Sequence, residues 1–176
     1  MSENTLNSTA LKTLWITVLI IALDQLTKFW AVSSLTFAEP VAVTPFLNWT
    51  LVYNYGAAFS FLADMGGWQR WFFAGLAGLM SAVLLVWLTK LPAKLTTETW
   101  GINLVLGGAI GNVIDRILEG RVTDFVDFYL GTWHYATFNV ADMAITVGAG
   151  LLILSELWLK PRQQKSAVNG ALEKSK

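Results

Sequence analysis

The sequence contains no cysteine and only one histidine, His134, among its 176 residues. It can therefore form no disulfide, no thiolate-bound iron–sulfur cluster and no zinc site of the usual nitrogen and sulfur ligands. Only 14% of the residues are charged, and twelve Lys and Arg balance twelve Asp and Glu. Without net positive charge, the composition gives no electrostatic reason to expect nucleic-acid binding. We expect no metal ion, no other cofactor and no nucleic-acid partner.

Apolar residues dominate the chain instead. Hydrophobic residues make up 55% of it, including nine Trp and ten Phe. This composition is unlike that of a soluble domain of this size and is typical of a polytopic membrane protein. A helix needs about 20 apolar residues to cross about 30 Å of hydrocarbon. Four stretches meet that requirement: Leu11–Val32, Trp68–Leu88, Trp100–Leu118 and Asn139–Leu159.

Basic residues are distributed unevenly between the two sides of these spans. Four spans place both termini on one side, and that side carries Lys12, Lys90, Lys94, Lys160, Arg162 and Lys165. The opposite loops carry Glu39, Asp64, Glu119, Asp124 and Asp127, together with Arg70, Arg116 and Arg121. Because Lys and Arg are enriched in cytoplasmic loops, we predict that both termini are cytoplasmic. Residues 1–160 are predicted to form a single membrane domain and residues 161–176 a polar, disordered cytoplasmic tail.

The two outer loops are longer and more hydrophobic than simple connections need to be. Between positions 47 and 54, large apolar residues alternate with Asn, Thr and Val, which predicts a short β-hairpin or a small sheet. The Trp and Tyr side chains of this segment suit the headgroup layer, so we expect a platform on the outer leaflet. In the second outer loop, Gly120 and Gly131 flank the segment RVTDFVDFYL. This segment could be a strand or an amphipathic helix.

Five aspartates lie within or beside the predicted spans: Asp24, Asp115, Asp124, Asp127 and Asp142. A carboxylate in hydrocarbon costs roughly 2.5 to 3.5 kcal/mol on insertion scales, so each needs a partner or a function. Asp24 and Lys28 are four residues apart on one helix face, in the order that favours an ion pair. This pair either neutralises charge between helices or borders a site. Asp115 has Arg116 beside it as its predicted neutralising partner.

The third span combines small and polar residues near its outer end. Gly107 and Gly111 form a G-x-x-x-G pattern, which allows a second helix to approach closely. The pattern alone is a weak signal. Gly108, Asn112, Asp115 and Arg116 share one helix face through spacings of three and four residues, which makes this face a candidate site.

Asp124 and Asp142 remain as candidates for chemistry. If the outer loop doubles back, their carboxyl groups can lie at the same depth, where a closely spaced pair would share one proton and act as base and acid. Such a pair can activate water against a peptide carbonyl. Asp127 is three residues from Asp124 and is predicted to face water. In the alternative interpretation, Asp142 only caps the fourth helix and Asp124 is a solvated loop residue.

Five ordered segments, DQLTK, NYGAAFSF, GGAIGNVIDR, RVTDF and FNVAD, resemble the signature segments of the bacterial lipoprotein signal peptidases, signal peptidase II. The resemblance extends over roughly residues 12–159. It implies an all-α membrane protein with a small β element: four transmembrane helices plus a periplasmic β-cradle and a short amphipathic helix. It also implies that Asp124 and Asp142 are the catalytic aspartates. The residues that it implies line or support the site are Asp24, Lys28, Asn54, Gly56, Gly108, Asn112, Asp115, Arg116, Val122, Asn139 and Ala141.

The implied substrate is a prolipoprotein whose cysteine already carries a diacylglyceryl group, and the bond cleaved is the one just before that cysteine. The resemblance implies a multi-pass enzyme of the bacterial inner membrane, with its site near the periplasmic leaflet. We expect it to act as a monomer among membrane lipids. The segment from Asn54 to Phe61 is predicted to close over the site as a lid. His134 is interpreted as an interfacial polar residue without a chemical role.

Two other functions remain open on the residues alone. In a small transporter or channel subunit, the buried acids and Arg116 would relay protons or ions. In a serine peptidase, Ser60 would be the nucleophile and Lys28 its base. Cleavage without coupled flux would distinguish a peptidase from a transporter, and substitutions of Ser60 and of the aspartates would distinguish the two peptidases.

Overall fold

Four long helices and a small antiparallel sheet make up the computed structural model, which describes residues 9–56 and 67–162. Each helical span is long and apolar enough to cross a membrane, as the sequence predicted. The helices are α1 (Trp15–Ser34), α2 (Trp68–Lys90), α3 (Thr97–Leu118) and α4 (Val140–Leu154), and α4 continues as a π-helical turn, Ser155–Leu159. The strands are β1 (Val41–Thr44), β2 (Leu47–Asn54), β3 (Val122–Leu130) and β4 (Trp133–His134).

Helix α3 is the central helix of the bundle and packs against each of the other three. It begins at a capping box, in which the Thr96 side chain accepts a hydrogen bond from the Thr99 backbone and the Thr99 side chain accepts one from Thr96. Lower in the bundle, Asn103 donates to Thr13 Oγ1 at 2.7 Å and accepts from Thr17 Oγ1 at 2.8 Å. These bonds fix the start of α1 against α3, because a buried amide in a membrane is stable only when its polar atoms are paired.

Glycines on α3 allow its neighbours to approach to backbone contact. A Cβ atom added at Gly108 would lie 2.3 Å from the Ala141 carbonyl oxygen of α4. One added at Gly107 would lie 2.7 Å from Ile20 Cβ of α1, and one at Gly111 would lie 2.6 Å from Asp24 Oδ2. The small-residue pattern seen in the sequence therefore places two different helices directly against α3.

The sheet has the order β1-β2-β3-β4, with every neighbouring pair antiparallel. Strands β1 and β2 form the predicted hairpin, and the segment left open as strand or helix is strand β3. The pairing of Val52 with Asp124 and of Asn54 with Val122 brings the end of β2 beside the start of β3. Within the described residues, no short amphipathic helix lies between the spans.

One hydrophobic cluster fastens the sheet to the bundle. Ala31 of α1 packs with Leu51, Phe125 and Val126 of the two central strands, and each of these side chains is buried. Trp30 contacts the Phe125 ring edge-on, at a centroid distance of 6.1 Å. Because β3 is attached at this point, its first residues extend over the ends of α1 and α3.

Replacing Gly108 by Ala is expected to loosen the contact between α3 and α4. A methyl group at this position meets the Ala141 backbone, which no side-chain rotation can relieve. We expect a cost of about 1 to 3 kcal/mol, seen as a lower melting temperature in detergent. The nine Trp residues provide the fluorescence signal for the measurement.

Gly150→Ala is the matched control, since a Cβ added at Gly150 of α4 meets no atom within 4 Å. That variant should melt at or above the temperature of the parent protein, because Ala is the better helix former. Equal melting of both variants and the parent would show that close packing at Gly108 contributes nothing.

Candidate active site

Lys28 lies at the centre of a buried polar cluster that joins α1 to α3. Its Nζ is 2.8 Å from Asp24 Oδ2 and 2.9 Å from Asp115 Oδ2. It also donates to Asn112 Oδ1 at 2.9 Å. Asp24 is 0% exposed and Lys28 4% exposed, so both charges depend on these contacts for stability. The predicted Asp24–Lys28 pair is present and has a second carboxylate as an additional partner.

Asp115 pairs with Lys28, and not with Arg116 as the adjacent positions suggested. Gln25 Nε2 donates to its Oδ1 at 2.9 Å, and the Thr123 backbone donates to its Oδ2 at 3.1 Å. Asp115 therefore ties the end of α3 to the start of β3. A partner 87 positions away in sequence could not be found by helical spacing.

The Asp24 carboxylate also holds the start of α4. Its Oδ1 accepts a hydrogen bond from the Ala141 backbone N–H at 2.9 Å. The first N–H groups of a helix have no partner within the helix, and a carboxylate there is favoured by the helix dipole. Asp24 thus binds both Lys28 and the backbone of α4, which explains why a charged residue is retained inside α1.

Asp142 lies in the first turn of α4, where Asn139 is the N-cap residue. Asn139 Oδ1 accepts from the Asp142 backbone at 2.9 Å, and Asp142 Oδ2 accepts from the Asn139 backbone at 3.4 Å. The Asp142 carboxylate accepts a further bond from Asn112 Nδ2, at 2.8 Å from its Oδ1. Asp142 therefore does cap its helix, but it is also fixed by a side chain of α3.

Asp124 is held in the same network from the opposite side. Asn139 Nδ2 donates to its Oδ1 at 2.6 Å and lies 3.2 Å from Asn112 Oδ1. Asn54 at the end of β2 also hydrogen-bonds the Asp124 carboxyl group. Each of the two aspartates is thus bound by one of two asparagines that are bonded to each other.

Burial alters the acidity of Asp124, which is only 2% exposed. Loss of hydration and then repulsion by the Asp142 carboxylate raise the pKa of Asp124 from 3.8 to about 7, against the opposing hydrogen bond from Asn139. Asp124 is therefore no solvated loop residue. Of the two forms of this side chain, burial favours the protonated one.

Arg116 lies half-buried beside the two carboxyl groups. Its guanidinium donates to the carbonyl oxygens of Gly56 at 3.0 Å and of Asn112 at 3.2 Å, and it stacks over Phe73 at 5.4 Å. These bonds use two of its five N–H donors. The other N–H groups of Arg116 could therefore donate to acceptor groups of a bound molecule.

A cavity of about 550 Å³ opens onto both aspartates. Six of the predicted site residues line it: Asn54, Asn112, Arg116, Val122, Asp124 and Asp142. Other predicted residues contact the lining residues without lining the cavity themselves. Gly108 packs against Ala141, the Gly56 carbonyl accepts a hydrogen bond from Arg116, and Asp24 and Lys28 belong to the buried cluster described above. The lining also includes the apolar side chains of Met143, Ile145 and Val147 of α4.

Sequence reasoning missed a segment that forms one side of this cavity, residues 135–138. Phe138 is hydrogen-bonded to Val126 of β3 in both directions, at 2.9 and 3.1 Å, which holds the segment over the site. No repeating pattern marks it, because it is an irregular connection between β4 and α4. The only sequence signal for this segment was its position directly before and at the start of FNVAD.

Asp127 differs from its predicted setting, and His134 is its partner. Asp127 is only 5% exposed and does not face water. Its carboxylate accepts from Asn48 Nδ2 at 3.1 Å and lies 2.9 Å from His134 Nδ1. His134 is thus the partner of a buried acid. The pair fastens β4 to β3 and does not line the cavity.

Part of the predicted lid, residues 57–61, lies outside the described residues, and so does Ser60.

Lys28 itself weakens the serine-peptidase alternative. A lysine general base must be available as a neutral amine. Lys28 is bound instead by two carboxylates and one amide oxygen.

In the described part of the chain, no group of three or more Asp, Glu or His side chains is arranged to hold a metal ion.

The fold and the site together define a class: a four-span membrane protein with two buried carboxyl groups at one cavity. A family profile described as signal peptidase (SPase) II matches residues 16–158. The chain therefore belongs to the signal peptidase II family, a family of peptidases.

Individual relatives agree with this assignment. A lipoprotein signal peptidase of Hydrogenovibrio crunogenus is 66% identical over 164 residues, which cover 93% of this chain and 95% of that protein. One from Acinetobacter baumannii is 51% identical over 154 residues, 88% of each chain. A solved structure of a bacterial membrane enzyme superposes with a TM-score of 0.74 at 31% identity, over 83% of this chain and 87% of its own.

Replacing Lys28 by Met is expected to destabilise the whole bundle. The change keeps the length of the side chain but leaves the buried carboxylates of Asp24 and Asp115 without a cation. Removing one partner of a buried ion pair costs about 3 to 5 kcal/mol. We expect a clear fall in melting temperature, measured by Trp fluorescence in detergent.

Lys12→Met serves as the comparison, since Lys12 is exposed and its replacement should leave the melting temperature nearly unchanged. Adding Asp115→Asn to Lys28→Met should recover part of the loss, because it removes one uncompensated charge. Identical melting of the Lys28 and Lys12 variants would contradict the assigned role of the cluster.

Proposed function

We propose that this chain is an intramembrane aspartic peptidase that removes signal peptides from prolipoproteins, with Asp124 and Asp142 as its catalytic residues. One observation carries the assignment of roles: both carboxyl groups open onto the same cavity, and two linked asparagines fix them. Membership of the signal peptidase II family and the relatives named lipoprotein signal peptidase support the substrate class.

The hydrogen bonds suggest how the two aspartates divide the work. Asp142 accepts bonds at both of its oxygens, from Asn112 and from the Asn139 backbone, as an ionised carboxylate does. Asp124, whose pKa is raised to about 7, retains the shared proton. Asp142 is then the base that activates water, and Asp124 is the acid.

The proposed reaction needs only water and this pair. Asp142 takes a proton from a water molecule while the oxygen of that water adds to the scissile carbonyl carbon. Asp124 gives its proton to the carbonyl oxygen. Asp142 then passes its proton to the amide nitrogen while the C–N bond breaks. Asp124 recovers a proton from the tetrahedral intermediate, which leaves a carboxylic acid, an amine and the original pair.

Neighbouring donors hold the substrate. Arg116 has N–H groups beyond those used on Gly56 and Asn112, and these are suited to the backbone carbonyls of an extended signal peptide. Asn54 sits at the mouth of the same cavity. Fixing the peptide at several carbonyls positions one bond over the pair, which is the main contribution of orientation to the rate.

The lipid on the substrate fits the two sides of the cavity. Its polar wall carries the aspartates, and its apolar wall is formed by α4 side chains that lie toward the hydrocarbon. A cysteine bearing a diacylglyceryl group can keep its acyl chains in the membrane while the peptide bond before it reaches the pair. The described residues 54–56 belong to the proposed lid over this position.

We further propose that both termini lie in the cytoplasm and that the site faces the periplasmic leaflet of the bacterial inner membrane. Lys90, Lys94 and Arg162 are exposed at the end of the bundle away from the aspartates, in keeping with the positive-inside rule. We propose that the enzyme acts as a monomer.

Asp124→Asn and Asp142→Asn should each abolish cleavage of a diacylglyceryl-modified reporter precursor. An amide can neither take up nor supply the transferred proton, and loss of general acid–base catalysis costs about 100- to 10 000-fold. Cleavage is measured as the shift of the precursor band to the mature size with purified enzyme.

Asp127→Asn is the matched control: it replaces another buried aspartate of β3 that is bound to His134 and does not line the cavity. It should retain most of the activity, and Ser60→Ala should as well. Full cleavage by Asp142→Asn would refute the aspartic mechanism. An unmodified precursor, tested in parallel, should remain uncut.

Activity should fall as the pH rises through about 7. The proton on Asp124 is required, and with its pKa raised to about 7 this proton is lost above that pH. We expect kcat/KM to decline about tenfold per pH unit on the alkaline side. Asp127→Asn should show the same midpoint, and a rate that stays constant up to pH 9 would contradict the assignment of the acid.

A further inference from the structure

We propose that the end of the bundle away from the aspartates binds an anionic glycerophospholipid. A polar cavity there, called the inner pocket, has a volume of about 450 Å³. Its walls come from the start of the described chain and from the connection between α2 and α3. It is lined by Thr9, Thr89, Lys90, Leu91, Pro92, Ala93 and Lys94.

The inner pocket carries positive charge that no ion pair among the described residues neutralises. Ion pairs in residues 9–56 and 67–162 involve Lys28, His134 and Lys160, but neither Lys90 nor Lys94. Lys160, at the same end of the bundle, is bound by Glu98 at 3.0 Å. Among these residues the two pocket lysines have no ion-pair partner and can attract an anion, and Thr9 and Thr89 add hydroxyl groups beside them.

The backbone of the pocket is held in place without a ligand. The Ala10 N–H donates to the Leu91 carbonyl at 2.9 Å, which joins the two walls. Thr99, in the capping box of α3, donates its hydroxyl to the Lys94 carbonyl at 2.9 Å. A preformed site binds more tightly than one that must be ordered by its ligand.

An apolar groove continues from the inner pocket along the membrane-facing side of α2. It is lined by Ala82, Val83, Val86, Trp87 and Lys90. Lys90 belongs to both sites, so the cationic pocket and the groove meet at one residue. Val83 and Val86 are 51% and 54% exposed, on a span that packs mainly against α3 and the short 3-10 turn Ala10–Thr13 among the described elements.

This junction matches the shape and polarity of a phospholipid. A phosphodiester between Lys90 and Lys94 would place its glycerol at the pocket mouth and one acyl chain in the groove. Basic pockets between the ends of transmembrane helices bind anionic headgroups in this way. A free phosphate would use the pocket but not the groove, so the continuity of the two favours a lipid.

Native mass spectrometry of the full-length protein tests the site. The protein in detergent is titrated with phosphatidylglycerol or with zwitterionic phosphatidylcholine of the same acyl chains. We expect tighter binding of phosphatidylglycerol, and we expect Lys90→Gln with Lys94→Gln to weaken that binding by roughly tenfold or more. Glycerol phosphate should not displace the lipid at matched concentration.

Two further variants separate this site from general surface charge. Arg162→Gln removes an exposed cation at the same end but outside the pocket, and it should leave lipid binding unchanged. Ala82→Trp fills the groove and should weaken both lipids. Equal weakening by Arg162→Gln and by the double variant, or displacement of the lipid by glycerol phosphate, would overturn the proposal. Trp fluorescence melting verifies that each variant is folded.

Discussion

The ammonium group of Lys28 has three N–H donors, and three acceptors on α1 and α3 take them: Asp24, Asp115 and Asn112. Separating α1 from α3 would leave buried charges unpaired, which is costly, so these contacts stabilise the packing of the two helices. Asp24 extends the network to α4 through the Ala141 backbone, and Asp115 extends it to β3. A single buried cation thus connects every element that carries a site residue except β2.

The same cation determines how the two aspartates are presented. A side-chain amide has one accepting oxygen and one donating nitrogen. Because Lys28 occupies the oxygen of Asn112, the nitrogen of Asn112 is directed at Asp142. Asn139 is oriented similarly, since its oxygen accepts from the Asp142 backbone and its nitrogen donates to Asp124. Both carboxyl groups therefore meet donors fixed by the cluster behind them, which keeps the pair preorganised.

Local patterns predicted the helices, the hairpin and the Asp24–Lys28 pair, because each depends on spacing along the chain. Contacts between distant segments were beyond such patterns, as the pairing of Asp115 with Lys28 illustrates. Asp127 was misjudged because its offset of three residues from Asp124 was taken to turn it toward water. In the sheet, β3 lies between β2 and β4, so Asn48 and His134 cover the Asp127 carboxylate. The proposal that Asp124 and Asp142 are the catalytic residues came from the family resemblance.

Charge balance in the cluster explains why the pKa of Asp124 is raised. Four carboxyl groups surround two cations: Asp24, Asp115, Asp124 and Asp142 face Lys28 and Arg116. If all were ionised, the site would carry a net charge of −2, and the last proton is hardest to remove where hydration is least. Asp124 is almost fully buried, and the nearby Asp142 carboxylate opposes its ionisation. The cluster that neutralises Asp24 and Asp115 thus leaves the other two aspartates short of positive charge, and this shortage supports the proposed division of the two side chains into an acid and a base.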